Sequence, residues 1–323
     1  MEKFDYFTPE TLDEALSLFN QFGKNAMFIA GGTDVMVMIK KRKISPTVLI
    51  SLQRIPGLDQ IEYDGLLRIG AMVTHRTIEK SNLIMGKFSA LADAVQVLGS
   101  VQIRNVATIG GNICTAAPSA DTATPLLVLG AQVKVKSLKG EKIIPLEEFF
   151  RGPGENVLKD GEIVTELVIP NLLPYTGSAY WKHQRRLALD LPILGVSVLL
   201  SLDKNRLSRP EMLRTSIPIS SISQAIEQDE LVCKEVRIAL GVAAPTPMRA
   251  VKAEKILRHQ KISDELLEEV AHTASEEAQP RDSIRGEAWY RREMIRVFVK
   301  RMAMKCVERV VEPKNAPFPT QPS

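Results

Sequence analysis

Two glycine pairs, far apart in the chain, constrain the fold more than any other feature of the sequence. The first lies in residues 28–35 (FIAGGTDV) and the second in residues 107–113 (ATIGGNI). Each follows an apolar run and ends in small side chains that form hydrogen bonds. Glycine permits positive φ and lets a ligand approach the main chain, and successive free N–H groups bind an anion. The pairs therefore predict two loops that hold one extended diphosphate ligand, and a dinucleotide is the leading candidate.

Length, composition and charge exclude several classes of protein. The chain has 323 residues, of which 45% are hydrophobic and 25% charged, so we expect a soluble protein of two or three domains. The net charge of +4 is small, and the basic residues are scattered among acids, unlike those of a dedicated nucleic-acid binder. Three widely spaced cysteines fit neither a disulfide framework nor the four thiolates of an iron–sulfur cluster. No secretory signal or membrane-spanning stretch is visible, which predicts a cytoplasmic protein without membrane insertion.

Hydrophobic periodicity divides the chain into three structured regions. Residues 1–55 predict a compact α/β unit, and residues 56–174 add further strands and helices. Residues 175–312 predict strands followed by three helices. A polar excursion at residues 205–231 has no regular pattern, and the proline-rich end at residues 313–323 predicts a disordered tail.

Each loop also has a purely structural interpretation. Thr33 or Asp34 could cap the helix that follows, although a helix N-terminus also favours phosphate. The second loop could be a β-bulge or a tight turn, and Asp121 could cap the next helix. Neither loop matches the Gly-x-Gly-x-x-Gly pattern, which disfavours a nicotinamide dinucleotide in a Rossmann domain. The four histidines form no triad or metal pattern and are interpreted as surface or packing residues.

Taken in order, these motifs and several later ones resemble one family over nearly the whole chain. They are similar to the FAD-binding medium (flavoprotein) subunits of the molybdenum hydroxylases, which include xanthine dehydrogenase, carbon monoxide dehydrogenase and 4-hydroxybenzoyl-CoA reductase. The matching segments are residues 30–34 (AGGTD), 107–113, 118–121 (PSAD), 162–170 (EIVTELVIP), 182–186 (KHQRR) and 238–250 (IALGVAAPTPMRA).

The resemblance implies an α+β fold and a specific set of site residues. The fold would be a two-subdomain FAD-binding domain of the PCMH type over residues 1–174, followed by a C-terminal domain of a small antiparallel sheet plus helices. The residues implied to bind FAD are Ile29, Ala30, Gly31, Gly32, Thr33, Asp34, Val35, Ala107, Thr108, Gly110, Gly111, Asn112, Cys114, Asp121, Val164 and Lys182.

The resemblance also implies which part of FAD each group of these residues would lie near. The two loops would hold the pyrophosphate through main-chain N–H groups, while Asp121, Val164 and Lys182 would lie near the ribityl and isoalloxazine end. A lysine there stabilises the anionic reduced flavin electrostatically. The alternative for Lys182 is a solvent-exposed lysine at a strand edge. No residue is expected to bind a metal or to act catalytically on the organic substrate.

The partners follow from the same resemblance. A large molybdopterin subunit would oxidise the substrate, and a small subunit with two [2Fe-2S] clusters would pass the electrons to FAD in this chain. NAD⁺ or another carrier would then accept them from a heteromeric complex. The first loop lacks the histidine that attaches flavin covalently in related flavoenzymes, so the FAD is expected to be noncovalent. The 4-hydroxybenzoyl-CoA reductase flavoprotein carries a cysteine-rich insertion for an additional [4Fe-4S] cluster, and no such insertion is visible in this sequence.

Two alternatives of other classes remain at this point. The chain could be a stand-alone FAD-dependent oxidoreductase of the same fold, which would need its own proton donor at the flavin. It could also be a non-catalytic assembly protein that has kept the fold and lost the flavin. The proteins that copurify with the chain test the stand-alone alternative. The flavin content of the isolated chain tests the assembly-protein alternative.

Overall fold

The computed structural model describes residues 3–186, 188–203 and 231–311. The predicted polar excursion lies outside the described residues, apart from Leu231, and so does the predicted C-terminal tail.

The N-terminal region is a small parallel sheet with two helices. Its elements are β1 (Asp5–Phe7), α1 (Leu12–Phe22), β2 (Ala26–Ile29), α2 (Val35–Lys40) and β3 (Val48–Ser51), with strand order β1-β3-β2. The Thr11 hydroxyl accepts a hydrogen bond from the N–H of Glu14 at the start of α1, and Gly23, at φ 57°, ends it. Because β2 ends where the first glycine pair begins and α2 starts directly after it, that loop is a strand-to-helix connection, as the apolar pattern predicts.

The second region is a five-stranded antiparallel sheet with a layer of short helices. Its elements are β4 (Ile61–Tyr63), β5 (Leu67–Gly70), α3 (His75–Lys80), α4 (Asn82–Lys87), α5 (Ser89–Val97), α6 (Val101–Val106), α7 (Ile109–Cys114), α8 (Ala123–Val128), β6 (Gln132–Ser137), β7 (Gly140–Pro145), β8 (Phe150–Gly152), β9 (Glu155–Asn156) and β10 (Ile163–Ile169). The strand order is β4-β5-β10-β6-β7, and β8 and β9 pair with each other. Buried aliphatic residues of the strands and helices form one core.

Within the described residues, the third region contains a four-stranded antiparallel sheet and three helices. Its elements are β11 (Thr176–His183), β12 (Leu194–Leu202), β13 (Cys233–Gly241), β14 (Met248–Arg249), α9 (Val251–Leu257), α10 (Asp264–Glu277) and α11 (Ala288–Val311). The apolar face of α11, including Ile295, Phe298 and Cys306, is buried in the core of this region. This burial shows that α11 packs on the sheet and helices of its own region. Among the described helices, none combines the length and hydropathy that crossing a bilayer requires.

Strand β11 faces two different neighbours because side chains alternate along a strand. On one face, Trp181 stacks on Phe298 of α11, with ring centroids 5.5 Å apart. On the other face, the Ser178 hydroxyl accepts a hydrogen bond from the N–H of Ala90 in α5 at 3.1 Å. Tyr180 and Lys182 share that second face, so the third region contributes side chains to the second one.

Candidate cofactor-binding site

A cavity of about 950 Å³ lies between the three regions. This is at the upper end of the range for small-molecule and cofactor sites. All of the residues named from the sequence as cofactor-binding line it, except Ile29. The Ile29 side chain packs with Ile39 and Leu49, and its carbonyl accepts a hydrogen bond from the N–H of Leu52 at 3.0 Å. Ile29 therefore anchors the first loop from behind.

The two glycine loops are in direct contact. A Cβ placed on Gly31 would lie 1.9 Å from the carbonyl oxygen of Val106, just before the second loop. The Thr115 hydroxyl donates a hydrogen bond to Oδ2 of Asp34 at 3.3 Å, across the gap between the loops. Only glycine at position 31 permits this approach, so the first pair is required partly for contact between the loops.

The first loop presents a row of main-chain donors. The main-chain N–H groups of Gly31, Gly32, Thr33 and Asp34 have no hydrogen-bond partner within the described parts of the chain. Gly32 has φ 71°, which turns the chain so that successive N–H groups can converge. Asp34 occupies the N-cap position of α2, but its side chain makes no capping hydrogen bond. The sequence expectation of an anion-binding loop fits this geometry.

The second loop differs from the expectation. Gly110 and Gly111 have no positive φ and lie in the first turn of α7. Their N–H groups are already bonded, that of Gly110 to the carbonyl of Ala71 at 3.0 Å and that of Gly111 to the Thr108 hydroxyl at 3.1 Å. A Cβ on Gly110 would lie 2.6 Å from the Cβ of Ala71. The second pair therefore brings α7 close to β5 and leaves the loop few free donors.

A buried ion pair lies at the polar end of the cavity. Nζ of Lys182 is 2.9 Å from Oδ2 of Asp121 and donates a second hydrogen bond to the carbonyl of Val97 at 3.2 Å. The Tyr180 hydroxyl donates to Oδ1 of Asp121 at 2.7 Å. The side chains of Lys182 and Asp121 are 2% and 7% exposed. The interpretation of Lys182 as a solvent-exposed lysine is therefore wrong.

Charge and burial compete at Asp121. Burial raises the pKa of Asp121, while the charge of Lys182 and the hydrogen bonds from Lys182 and Tyr180 oppose that rise. Burial raises the pKa of the Tyr180 hydroxyl well above its ordinary value, and the charge of Asp121 adds to the effect. Asp121 does not cap the following helix, because Thr122 occupies the N-cap position of α8.

Sequence reasoning missed the buried titratable residue His75 of α3, which lines the cavity. Its side chain is fully buried, and neither ring nitrogen has a hydrogen-bond partner among the described residues. Burial, followed by the charge of Arg104, lowers the pKa of His75 to about 4. His75 is therefore uncharged at neutral pH. The burial of His75 agrees with the interpretation of the histidines as packing residues. No signal in the sequence, however, places His75 at the cavity.

Sequence reasoning also missed an apolar part of the cavity lining. Phe19 and Phe28 stack with ring centroids 4.9 Å apart, and both line the cavity, as does Met27. From the sequence, these residues are indistinguishable from the ordinary core of an amphipathic helix and a strand. The cavity lining thus combines apolar side chains, main-chain N–H groups without a partner among the described residues and a buried ion pair.

The family follows from comparison with known proteins. Residues 2–172 match the family described as FAD binding domain in molybdopterin dehydrogenase, and residues 178–306 match the CO dehydrogenase flavoprotein C-terminal domain. The chain belongs to the FAD-binding subunits of the molybdopterin dehydrogenases. Its membership, its α+β fold and FAD as its cofactor are thereby confirmed.

Members of this family with similar lengths include two curated relatives and one solved structure. The xanthine dehydrogenase FAD-binding subunit of Escherichia coli O157:H7 is 30% identical over 305 residues, 94% of this chain and 95% of the relative. The 6-hydroxypseudooxynicotine dehydrogenase complex subunit alpha of Paenarthrobacter nicotinovorans is 30% identical over 314 residues, 97% of each chain. Carbon monoxide dehydrogenase from Hydrogenophaga pseudoflava, in a form lacking the Mo-pyranopterin moiety of its cofactor, matches with a TM-score of 0.83 and 28% identity over 95% of this chain and 98% of that one.

The residues of the cavity fit FAD in this family. A diphosphate needs several N–H donors, and the first loop supplies them. A flavin gains negative charge when it is reduced, and the buried lysine offers a matching positive charge.

Proposed function

We propose that this chain is the electron-transfer subunit of a molybdenum-containing dehydrogenase complex, with its FAD held noncovalently in the described cavity. When bound, FAD supplies the ability to accept electrons singly and to release them in pairs. The observation that carries the proposal is the row of N–H groups in the first loop that lack a partner among the described residues; they line a cavity that has a buried lysine at its polar end. This chain's own residues bind, orient and tune the cofactor.

The first loop would bind the diphosphate. Four free N–H groups from Gly31 to Asp34 point to that role, and Ala30 and Val35 flank them in the cavity wall. The second loop would contribute shape more than donors, since the N–H groups of its two glycines are bonded within the protein. Its lining residues in this proposal are Ala107, Thr108, Gly110, Gly111, Asn112 and Cys114.

The polar end would hold the isoalloxazine ring and the ribityl chain. Val164 of β10 would form an apolar wall there, while Lys182 would stabilise negative charge on the reduced ring. Asp121 would hold the lysine in place and offset part of its charge. In a buried setting such charges act strongly, because water does not screen them.

The proposal also includes the partner subunits and the route of the electrons. A large molybdopterin subunit would oxidise the substrate, and a small subunit with [2Fe-2S] clusters would deliver electrons to this chain. NAD⁺ or another carrier would accept them. The relative from Paenarthrobacter, which is a subunit of a dehydrogenase complex, supports a heteromeric assembly. We propose a cytoplasmic location, and domain limits at residues 1–174, with subdomains meeting near residue 55, and at residues 175–312.

The experiment starts with the purified full chain. Supplied with FAD, it is expected to gain the flavin absorbance bands and to release FAD intact on acid precipitation. A chain that shows no flavin absorbance after FAD is supplied would contradict the proposal. Mass spectrometry and metal analysis of the complex isolated from cells are expected to find molybdenum and iron with this chain, whereas an active flavoenzyme without partners would favour the stand-alone alternative.

A further inference from the structure

The buried Asp121 carboxylate is shared between two donors from one strand. Tyr180 and Lys182 are two residues apart on β11, so both side chains extend from the same face of the sheet. The Tyr180 hydroxyl donates to Oδ1 at 2.7 Å, and the Lys182 ammonium donates to Oδ2 at 2.9 Å. Each carboxylate oxygen thus has its own donor, one neutral and one charged. Lys182 and Asp121 line the cavity, while Tyr180 lies behind them.

The position of the Tyr180 ring is fixed by its surroundings. The ring is buried against Ala90 and Ala94 of α5. Its main-chain N–H donates to Oδ2 of Asp93 at 3.1 Å. On the neighbouring strand, a Cβ at Gly195 would lie 3.3 Å from the Tyr180 hydroxyl oxygen, so glycine there leaves room for the phenol. The hydroxyl therefore has a defined position from which to reach Asp121.

We propose that Tyr180 is a positioning residue that, by holding Asp121 ionised against Lys182, sets the reduction potential of the bound FAD. The inference rests on the proposed placement of the flavin ring at this end of the cavity. Lys182 favours the negative charge of the reduced ring, and the Asp121 carboxylate opposes it. The net field at the ring depends on how fully Asp121 keeps its charge.

The Tyr180 hydroxyl controls that charge because a buried carboxylate needs its hydrogen-bond donors. A hydrogen bond to a charged group is stronger than one between neutral groups, and its loss leaves part of the desolvation cost uncompensated. Without the hydroxyl, Asp121 binds a proton more readily, and a neutral Asp121 no longer offsets the lysine. The reduced flavin then becomes more stable, and the reduction potential rises.

The test compares midpoint potentials of the full chain reconstituted with FAD. Asp121→Asn is expected to raise the potential, with the equilibrium shifted toward reduced flavin by about tenfold or more, equivalent to about 30 mV for a two-electron couple. Tyr180→Phe is expected to shift it in the same direction by a smaller amount. The matched control is Tyr63→Phe, which removes a hydroxyl that bonds Asn171 at 2.8 Å outside the cavity and is expected to leave the potential unchanged.

The double variant decides whether Tyr180 acts through Asp121. In the Asp121→Asn background, Tyr180→Phe is expected to add no further shift. The proposal is overturned if Tyr180→Phe keeps the wild-type potential, if its shift adds fully to that of Asp121→Asn, or if it loses FAD while Tyr63→Phe retains it. Failure of the proposed function is a different result, because the wild-type chain itself would then take up no FAD.

Discussion

The buried His75 predicts a specific loss of stability in mild acid. Its pKa lies near 4 in the folded chain, below the ordinary 6.5, because burial and then the charge of Arg104 disfavour the imidazolium. Between these two values the unfolded chain binds more protons than the folded chain, so the free energy of unfolding falls as the pH falls. At about pH 5 the loss from this one group is about 2 kcal/mol, and it approaches about 3 kcal/mol below pH 4.

The substitution His75→Leu isolates the contribution of this imidazole to the pH dependence of stability. Leucine has a similar volume, cannot bind a proton, and removes two ring nitrogens that have no partner among the described residues. Replacing unpaired buried polar atoms by an apolar group costs little, so we expect the variant to match the wild type within about 1 kcal/mol at neutral pH. Near pH 5 the variant is expected to be the more stable of the two proteins.

The assay is urea unfolding of both FAD-free proteins near pH 7.5 and near pH 5. The wild type is expected to lose about 2 kcal/mol more than the variant over this interval. Nuclear magnetic resonance of the imidazole gives an independent reading of its pKa. Equal losses in the two proteins, or a His75 ring that titrates at an ordinary pH, would refute the reasoning.

Two further substitutions test other parts of the structure. Gly31→Ala forces a Cβ to within 1.9 Å of the Val106 carbonyl, and at about 1–3 kcal/mol for overpacking it is expected to weaken FAD binding by about 10- to 100-fold in a fluorescence titration. Gly86→Ala, which meets no atom within 4 Å, is the control and should bind FAD normally. Glu254→Ala removes a buried carboxylate that pairs with Arg249. The free energy of unfolding, measured by thermal or urea unfolding, is expected to fall by about 3–5 kcal/mol. A smaller loss would contradict this prediction.

Much of the fold was predictable because burial imposes regular patterns on the sequence. The apolar periods locate helix α2 at Val35–Lys40 and strand β12 at Leu194–Leu202. The second glycine pair was not predictable in the same way, since two adjacent glycines are poor helix formers. Hydrogen bonds to distant carbonyls of Val73 and Ala71 hold this turn of α7 in place, and a local pattern does not contain them.

The candidate site was predictable only in part. The first glycine pair marks the first loop in the sequence, because the backbone conformation that leaves N–H groups free depends on local residues. The pairing of Asp121 with Lys182 joins residues 61 positions apart, and only the resemblance to a family placed them together. The sequence indicates only a surface or packing role for His75, because its position at the cavity depends on how α3 meets the second loop.

The face of β11 that carries Tyr180 and Lys182 has a consequence for how this protein is organised. In the proposed arrangement, the diphosphate-binding loop belongs to the N-terminal region, whereas the lysine beside the flavin ring comes from the third region. A fragment ending before β11 would then keep the main-chain N–H groups that bind the diphosphate and lack the charge that sets the reduction potential. Binding and tuning of the cofactor would thus be encoded in separate stretches of sequence, and substitutions could alter one of them independently of the other.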